Sequence, residues 1–203
     1  TRNRHAIAHQ QITNAVHKEG GKIVMQILHS GRYAYTPFAV APSAIKSPIS
    51  KFKPRALSSR GVKRTIKDFV NSAKLAMAAG YDGVEVMGSE GYLINEFIAS
   101  ETNKRTDEWG GSFENRIRLP LEVFEKVRTK VGVDFTVGCR FLSEECIEGG
   151  SIIDDALFYG VEFAHAGMDF LSLSRGGKFE DAKKPLIGWA AYPYTGKSGY
   201  ECM

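Results

Sequence analysis

The stretch Met77-Ala78-Ala79-Gly80-Tyr81-Asp82-Gly83-Val84 recurs in outline as Phe163-Ala164-His165-Ala166-Gly167-Met168-Asp169-Phe170. In both, small residues close a helix, glycine stops it, a bulky residue follows and aspartate opens an apolar run. Working outward, the helices span about Ile66 to Ala79 and Ile153 to Ala166, and the strands Gly83 to Val86 and Asp169 to Ser174. Upstream, Ala6 to His17 reads as a helix ended by Glu19-Gly20-Gly21, with Lys22 to Leu28 as the next strand. Between the two copies, Ser112 is an N-cap candidate for a helix running to about Lys130, followed by Gly132 and the strand Phe135 to Arg140. Strands apolar on both faces that alternate with helices predict an α/β class with a helix-covered parallel sheet. No GxGxxG joins a strand to a helix, which sets a Rossmann domain aside. The run Trp109-Gly110-Gly111-Ser112 follows a long polar loop and reads as turn and cap rather than phosphate cradle. Successive βα units with long loops after the strands are the pattern of a (β/α)8 TIM barrel, of which about four central units are represented.

With 203 residues, 43% hydrophobic and 25% charged, the chain has the composition of a soluble globular protein and needs no disulfide or metal staple. Cys139, Cys146 and Cys202 are odd in number and far apart, which fits free thiols in a reducing, cytoplasmic setting and no metal site. No stretch approaches the roughly 20 apolar residues of a membrane span. The start, Thr1 to His5, has no initiator methionine or apolar signal core and runs straight into helical sequence, so the chain is expected to begin inside a larger protein. Charge is uneven. Residues 1 to 65 hold 12 Lys/Arg against the single acid Glu19, and Lys46 to Arg64 alone carries seven basic residues and no acid. Such a segment is a solvated loop, a contact for a phosphate-bearing cofactor or substrate, or a nucleic-acid face. Beyond Phe52 no aromatic residue is interleaved for base stacking, and nucleic acid is not an expected partner.

In a barrel of this kind the chemistry sits at the carboxyl ends of the strands. The candidates there are Gln26 and His29, the run Glu85 to Tyr92, Arg140, and Ser174-Arg175. Gln26 lies between Met25 and Ile27, where an amide is costly unless both of its ends find partners, so it is a satisfied structural glutamine or a ligand contact. Arg140 closes an apolar strand and must meet a neighbouring carboxylate, an anion or a set of carbonyls.

Three segments then carry a resemblance: Gln26-Ile27-Leu28-His29-Ser30-Gly31-Arg32, Gly80 through Met87-Gly88-Ser89-Glu90-Gly91-Tyr92-Leu93-Ile94-Asn95, and Thr102-Asn103-Lys104-Arg105-Thr106-Asp107-Glu108-Trp109-Gly110-Gly111-Ser112 with Asn115-Arg116. Together they resemble the Old Yellow Enzyme family of FMN oxidoreductases, and Met87 to Asn95 is most similar to its bacterial 2,4-dienoyl-CoA reductase branch. The resemblance runs from near Thr1 to about Ser174. It implies an FMN-binding TIM barrel, of which residues 1–203 form a part, in which NAD(P)H reduces FMN and hydride passes on to an activated carbon-carbon double bond. It further implies that Gln26 hydrogen-bonds the flavin pyrimidine edge, that Arg140 sets a positive charge beside flavin N1, and that Tyr92 gives a proton to the carbon opposite the hydride acceptor.

This sequence departs from the family pattern in places. Typical members grip the substrate carbonyl with a His and a His or Asn, where Met87 and Glu90 stand here; the dienoyl-CoA branch uses a loop histidine near the position of Lys178. The implied acceptor is a small unsaturated molecule, with a CoA thioester among the candidates. The family strands that hold the FMN phosphate, and in that branch the iron-sulfur cysteines, have no counterpart in these four units, so an iron-sulfur cluster is not expected within the chain. The tail Lys184 to Gly196 reads as a long loop, a substrate lid or a cap on the barrel. Two other functions stay open, an amine or alcohol dehydrogenase of the same flavin family and a non-catalytic fragment that binds an anionic partner. Oligomeric state is not legible.

Overall fold

Each aspartate of the repeated junction ties the entry of its strand to the neighbouring strand. The Asp82 backbone N–H donates to Ile23 O (2.9 Å) and its carboxylate accepts from Ile23 N (2.9 Å). The Asp169 N–H likewise donates to Val137 O (2.8 Å), and its carboxylate accepts from Val137 N (2.8 Å). Further side chains complete both clamps, His17 and Lys22 on Asp82 and Arg128 on Asp169. Gly80 and Gly167 before them hold φ of 85° and 88°, the left-handed geometry that ends a helix at low cost only for glycine.

The computed structural model describes residues 3–145 and 149–176. In chain order the elements are α1 (Asn3–Lys18), β1 (Val24–Ile27), a 3-10 turn (Gly31–Tyr33), β2 (Val40–Ala41), β3 (Arg55–Ala56), α2 (Ser59–Ala78), β4 (Gly83–Gly88), α3 (Leu93–Ile98), α4 (Phe113–Val131), β5 (Thr136–Glu144), α5 (Ile153–His165) and β6 (Phe170–Arg175). Strands β1, β4, β5 and β6 pair in that order, all parallel. Four consecutive parallel strands with helices between them are the expected part of a (β/α)8 barrel.

The core lies between the sheet and its covering helices. Val84, Val86 and Val137 of the sheet meet Val62, Ile66, Leu119 and Val123 of α2 and α4 within one buried cluster, each of them fully buried or nearly so. Burying each such side chain contributes about 1.5–3 kcal/mol. Phe163 of α5 packs edge-on against Phe124 (4.9 Å) and Phe141 (5.3 Å), which joins α5 to α4 and β5.

The expected helices and strands are all present, with shifted ends. Helix α2 starts seven residues before Ile66, because Ser58 Oγ caps it by accepting from Gly61 N (3.2 Å). Ser112 caps α4 as expected, accepting from Asn115 N (3.4 Å), so the glycines before it are turn and not cradle. Strand β5 runs on past Arg140 to Glu144. Periodicity missed the β2–β3 pair, which is two residues long, and α3, which is six residues long and buried throughout. Among the described residues no helix is long and apolar enough to cross a membrane. Cys139 is a buried free thiol, whereas Cys146, Cys202, Lys178 and the Lys184 to Gly196 tail lie outside the described residues. All seven basic residues from Lys46 to Arg64 are exposed, the pattern of a solvated segment.

Candidate active site

Parallel register brings four polar side chains from four strands into one row. Gln26 is the Cα partner of Glu85, and Arg140 that of Ser172. Gln26 Nε2 donates to Glu85 Oε1 (2.5 Å), Glu85 Oε1 faces Arg140 Nε at 3.6 Å, and Arg140 Nε donates to Ser172 Oγ (3.1 Å). Gly138, the partner of Glu85 on β5, puts no side chain between them. Gln26 is exposed and the Arg140 side chain retains 37% exposure. Among the described residues the Gln26 amide oxygen and the two terminal Arg140 nitrogens accept or donate no hydrogen bond. Both readings left open for these residues are thus partly met: each has a protein partner, and each keeps polar groups uncommitted.

Tyr92 belongs to a second cluster at the same end of the sheet. After β4 the chain turns through Glu90 (φ 58°) and Gly91 (φ 76°), and Tyr92 N closes the turn on Ser89 O (3.1 Å). A left-handed glutamate is uncommon, and such backbone is retained where the surroundings impose it. Gly91 is required twice over. Besides its φ, any Cβ there would lie 2.4 Å from Tyr33 Oη. With Gly91 in place, Tyr33 and Tyr92 meet edge to face at 6.1 Å. Leu28, Tyr33, Tyr35, Thr36, Ile49 and Tyr92 line a cleft of about 400 Å³. Leu28 lies two residues beyond Gln26, so the exit of β1 joins the row to the cleft.

His29 Nδ1 accepts from Gly31 N (3.0 Å), and burial pushes the imidazole below its usual range, so it is neutral at pH 7. Met87 is buried, with 3% exposure. Ser174 meets the Ser89 hydroxyl, and Arg175 pairs with Glu144 (2.9 Å). The Gly31-Arg32 segment is held by buried Glu96, whose carboxylate accepts from Arg32 N (2.8 Å) in the space a Cβ on Gly31 would fill. Sequence reading placed Glu85 at the right strand end without a partner, and it missed Ser172 and Tyr33. Ser172 was legible as the residue two before Ser174, on the same face of the strand.

Comparison with known proteins narrows the reading. The sequence profile of the NADH:flavin oxidoreductase / NADH oxidase family matches residues 2–198. The chain is 36% identical over 171 residues to an NADH oxidase of Thermoanaerobacter brockii, covering 82% of this chain and 26% of that protein. It is 37% identical over 174 residues to an N,N-dimethylglycine/sarcosine dehydrogenase of Chromohalobacter salexigens, covering 83% of this chain and 25% of that protein. A solved 2-naphthoyl-CoA reductase complex superposes with a TM-score of 0.84 at 30% identity, over 88% of this chain and 30% of that one. The chain therefore spans about a quarter of the length of these two relatives. With four parallel βα units in barrel order and a family profile that covers nearly every residue, the chain belongs to the NADH:flavin oxidoreductase / NADH oxidase family, the Old Yellow Enzyme group of TIM barrels.

Proposed function

We propose that residues 1–203 form part of an FMN-binding barrel domain of a cytoplasmic NAD(P)H oxidoreductase that reduces an activated carbon-carbon double bond. The observation that carries this reading is the uncommitted amide oxygen of Gln26 and guanidinium nitrogens of Arg140, exposed on one row. That donor set fits FMN. An amide offers one donor and one acceptor to a pyrimidine edge, and a fixed guanidinium favours negative charge on the ring it faces. FMN held there would supply hydride transfer from NAD(P)H to the acceptor. Gln26 would orient the ring edge, Arg140 would hold positive charge there, and Tyr92 would hold the proton at its phenol oxygen for the carbon opposite the one that receives hydride.

The cleft beside Tyr92 is walled by tyrosines, Leu28 and Ile49, which suits a flat unsaturated acyl group. Similarity to 2-naphthoyl-CoA reductase supports a CoA thioester acceptor and agrees with the dienoyl-type reading, and Met87, a thioether, offers no donor to grip a small enone carbonyl. A second reading, oxidation of an amine by the same flavin site, is favoured by similarity to the dimethylglycine/sarcosine dehydrogenase.

Tyr92→Phe separates the roles. Removing the phenol hydroxyl should slow alkene reduction by about 10²–10⁴-fold while leaving FMN reduction by NAD(P)H nearly unchanged. Equal loss in both half-reactions, read by anaerobic stopped-flow absorbance, sinks the proton-donor role. Bleaching of FMN by a methylated amine without NAD(P)H selects the second reading.

A further inference from the structure

Glu85 is a carboxylate inside a parallel strand, between Val84 and Val86, which are both fully buried. Only 13% of its side chain is exposed. A charge in that position costs several kcal/mol unless partners compensate. Its partners are the two side chains read above as FMN contacts, Gln26 at 2.5 Å and Arg140 at 3.6 Å, both at Oε1. The Phe170 ring fills the space over Gly138, the residue paired with Glu85 on β5, so no polar side chain reaches in from there.

We propose that Glu85 is a positioning residue that decides which end of the Gln26 amide faces outward and where the Arg140 guanidinium points. The inference rests on the reading of Gln26 and Arg140 as FMN contacts for its functional meaning, though not for its geometry. A carboxylate accepts and never donates, so it takes the NH₂ end of the amide and leaves the carbonyl and one N–H free. Without it the amide rotates by half a turn at little cost, and donor and acceptor exchange places. Arg140 is anchored at Nε by Ser172 and by the charge of Glu85, which leaves its terminal nitrogens free. Glu85 thus aligns a cation and an amide through one carboxylate oxygen.

The test begins without flavin, on the full chain labelled with ¹⁵N. The Gln26 side-chain amide protons should exchange with solvent about tenfold more slowly in the native chain than in Glu85→Gln, the ratio expected for loss of one charge-assisted hydrogen bond. Glu85→Asp keeps the charge and withdraws the carboxylate by one methylene. It is the second variant should Glu85→Gln not fold, and it should speed exchange in the same direction. Equal exchange in native and variant chains overturns the proposal, whether or not FMN binds. FMN titration then examines the parent reading. Gln26→Leu and Glu85→Gln should each weaken FMN binding, with the double variant weaker than Gln26→Leu alone through Arg140 but by less than the two single losses combined. FMN affinity lost in Gln26→Leu but kept in Glu85→Gln overturns the positioning role and leaves the cofactor reading in place. FMN uptake unchanged in Gln26→Leu overturns the cofactor reading while the exchange result still decides what orients the amide.

Discussion

Two polar regions of this molecule differ in what their hydrogen-bonding groups do. The loop from Thr102 to Ser112 spends its groups inward. Asn103 Nδ2 donates to Phe97 O (2.7 Å) and Trp109 O (2.8 Å). Arg105 reaches Pro42 O (3.1 Å) and Leu57 O, and grips Asp107 with two nitrogens. Asp107 also accepts from Ser59 Oγ (3.0 Å) and Trp109 N (3.2 Å), and its carboxyl is held at about 2, chiefly by Arg105. The loop is therefore a clamp that fastens the β2–β3 pair and the start of α2 to α3. The row of Gln26, Glu85, Arg140 and Ser172 leaves groups facing outward from the sheet. The resembling segments cover the whole loop and, in the row, Gln26 and Glu85. Commitment of donors and acceptors is what separates scaffold from site.

The largest effect on stability is expected at Asn103→Ala. Removing the amide strands two carbonyls in a buried environment and should cost about 2–4 kcal/mol, read as a lower urea midpoint at unchanged slope. A loss below about 0.5 kcal/mol, the size of an ordinary surface change, would break the contrast by making the loop dispensable.

Asp82→Asn sharpens it with a purely structural charge. Hydrogen bonds from His17 first, then from Ile23 N and Lys22, hold the Asp82 carboxyl below its usual range. A carboxyl depressed in the folded state adds stability that is complete above its unfolded value of 3.8 and is lost as pH falls below it. The native chain should thus lose stability through this acid range, and the Asn variant, weaker at neutral pH, should lose less of what it has. Parallel acid limbs in thermal melts would contradict the clamp. The smallest change is expected for Gln26→Leu, about 1–2 kcal/mol at neutral pH, because the side chain is exposed and its loss takes one hydrogen bond from Glu85, which keeps Arg140. A large destabilisation there would return Gln26 to the scaffold.

Much of this organisation was legible. Helix stops at Gly80 and Gly167, the aspartates after them, the cap at Ser112 and the apolar strands are all local signals, and they led to four βα units. The short α3 was not legible because its six residues are all buried, which erases the one-sided pattern that periodicity detects. The β2–β3 pair escaped because two residues per strand are too few to alternate, and its Val40 and Arg55 lie fifteen positions apart. At the site, the strand ends carrying Gln26, Tyr92 and Arg140 could be named in advance. Their surroundings could not.

The sequence by itself determined the class of fold, the direction of each strand and the end of the sheet where chemistry belongs. Those follow from turn-forming glycines, caps and apolar periodicity within a few residues. Only the tertiary structure decided that Gln26 and Arg140 share one carboxylate, that Tyr92 shares a cleft with Tyr33, and that Gly31-Arg32 is held by Glu96. These pairings join residues 55 to 64 positions apart, and Gln26 and Glu85 meet because parallel register sets adjacent strands about 5 Å apart with matched side chains on one face.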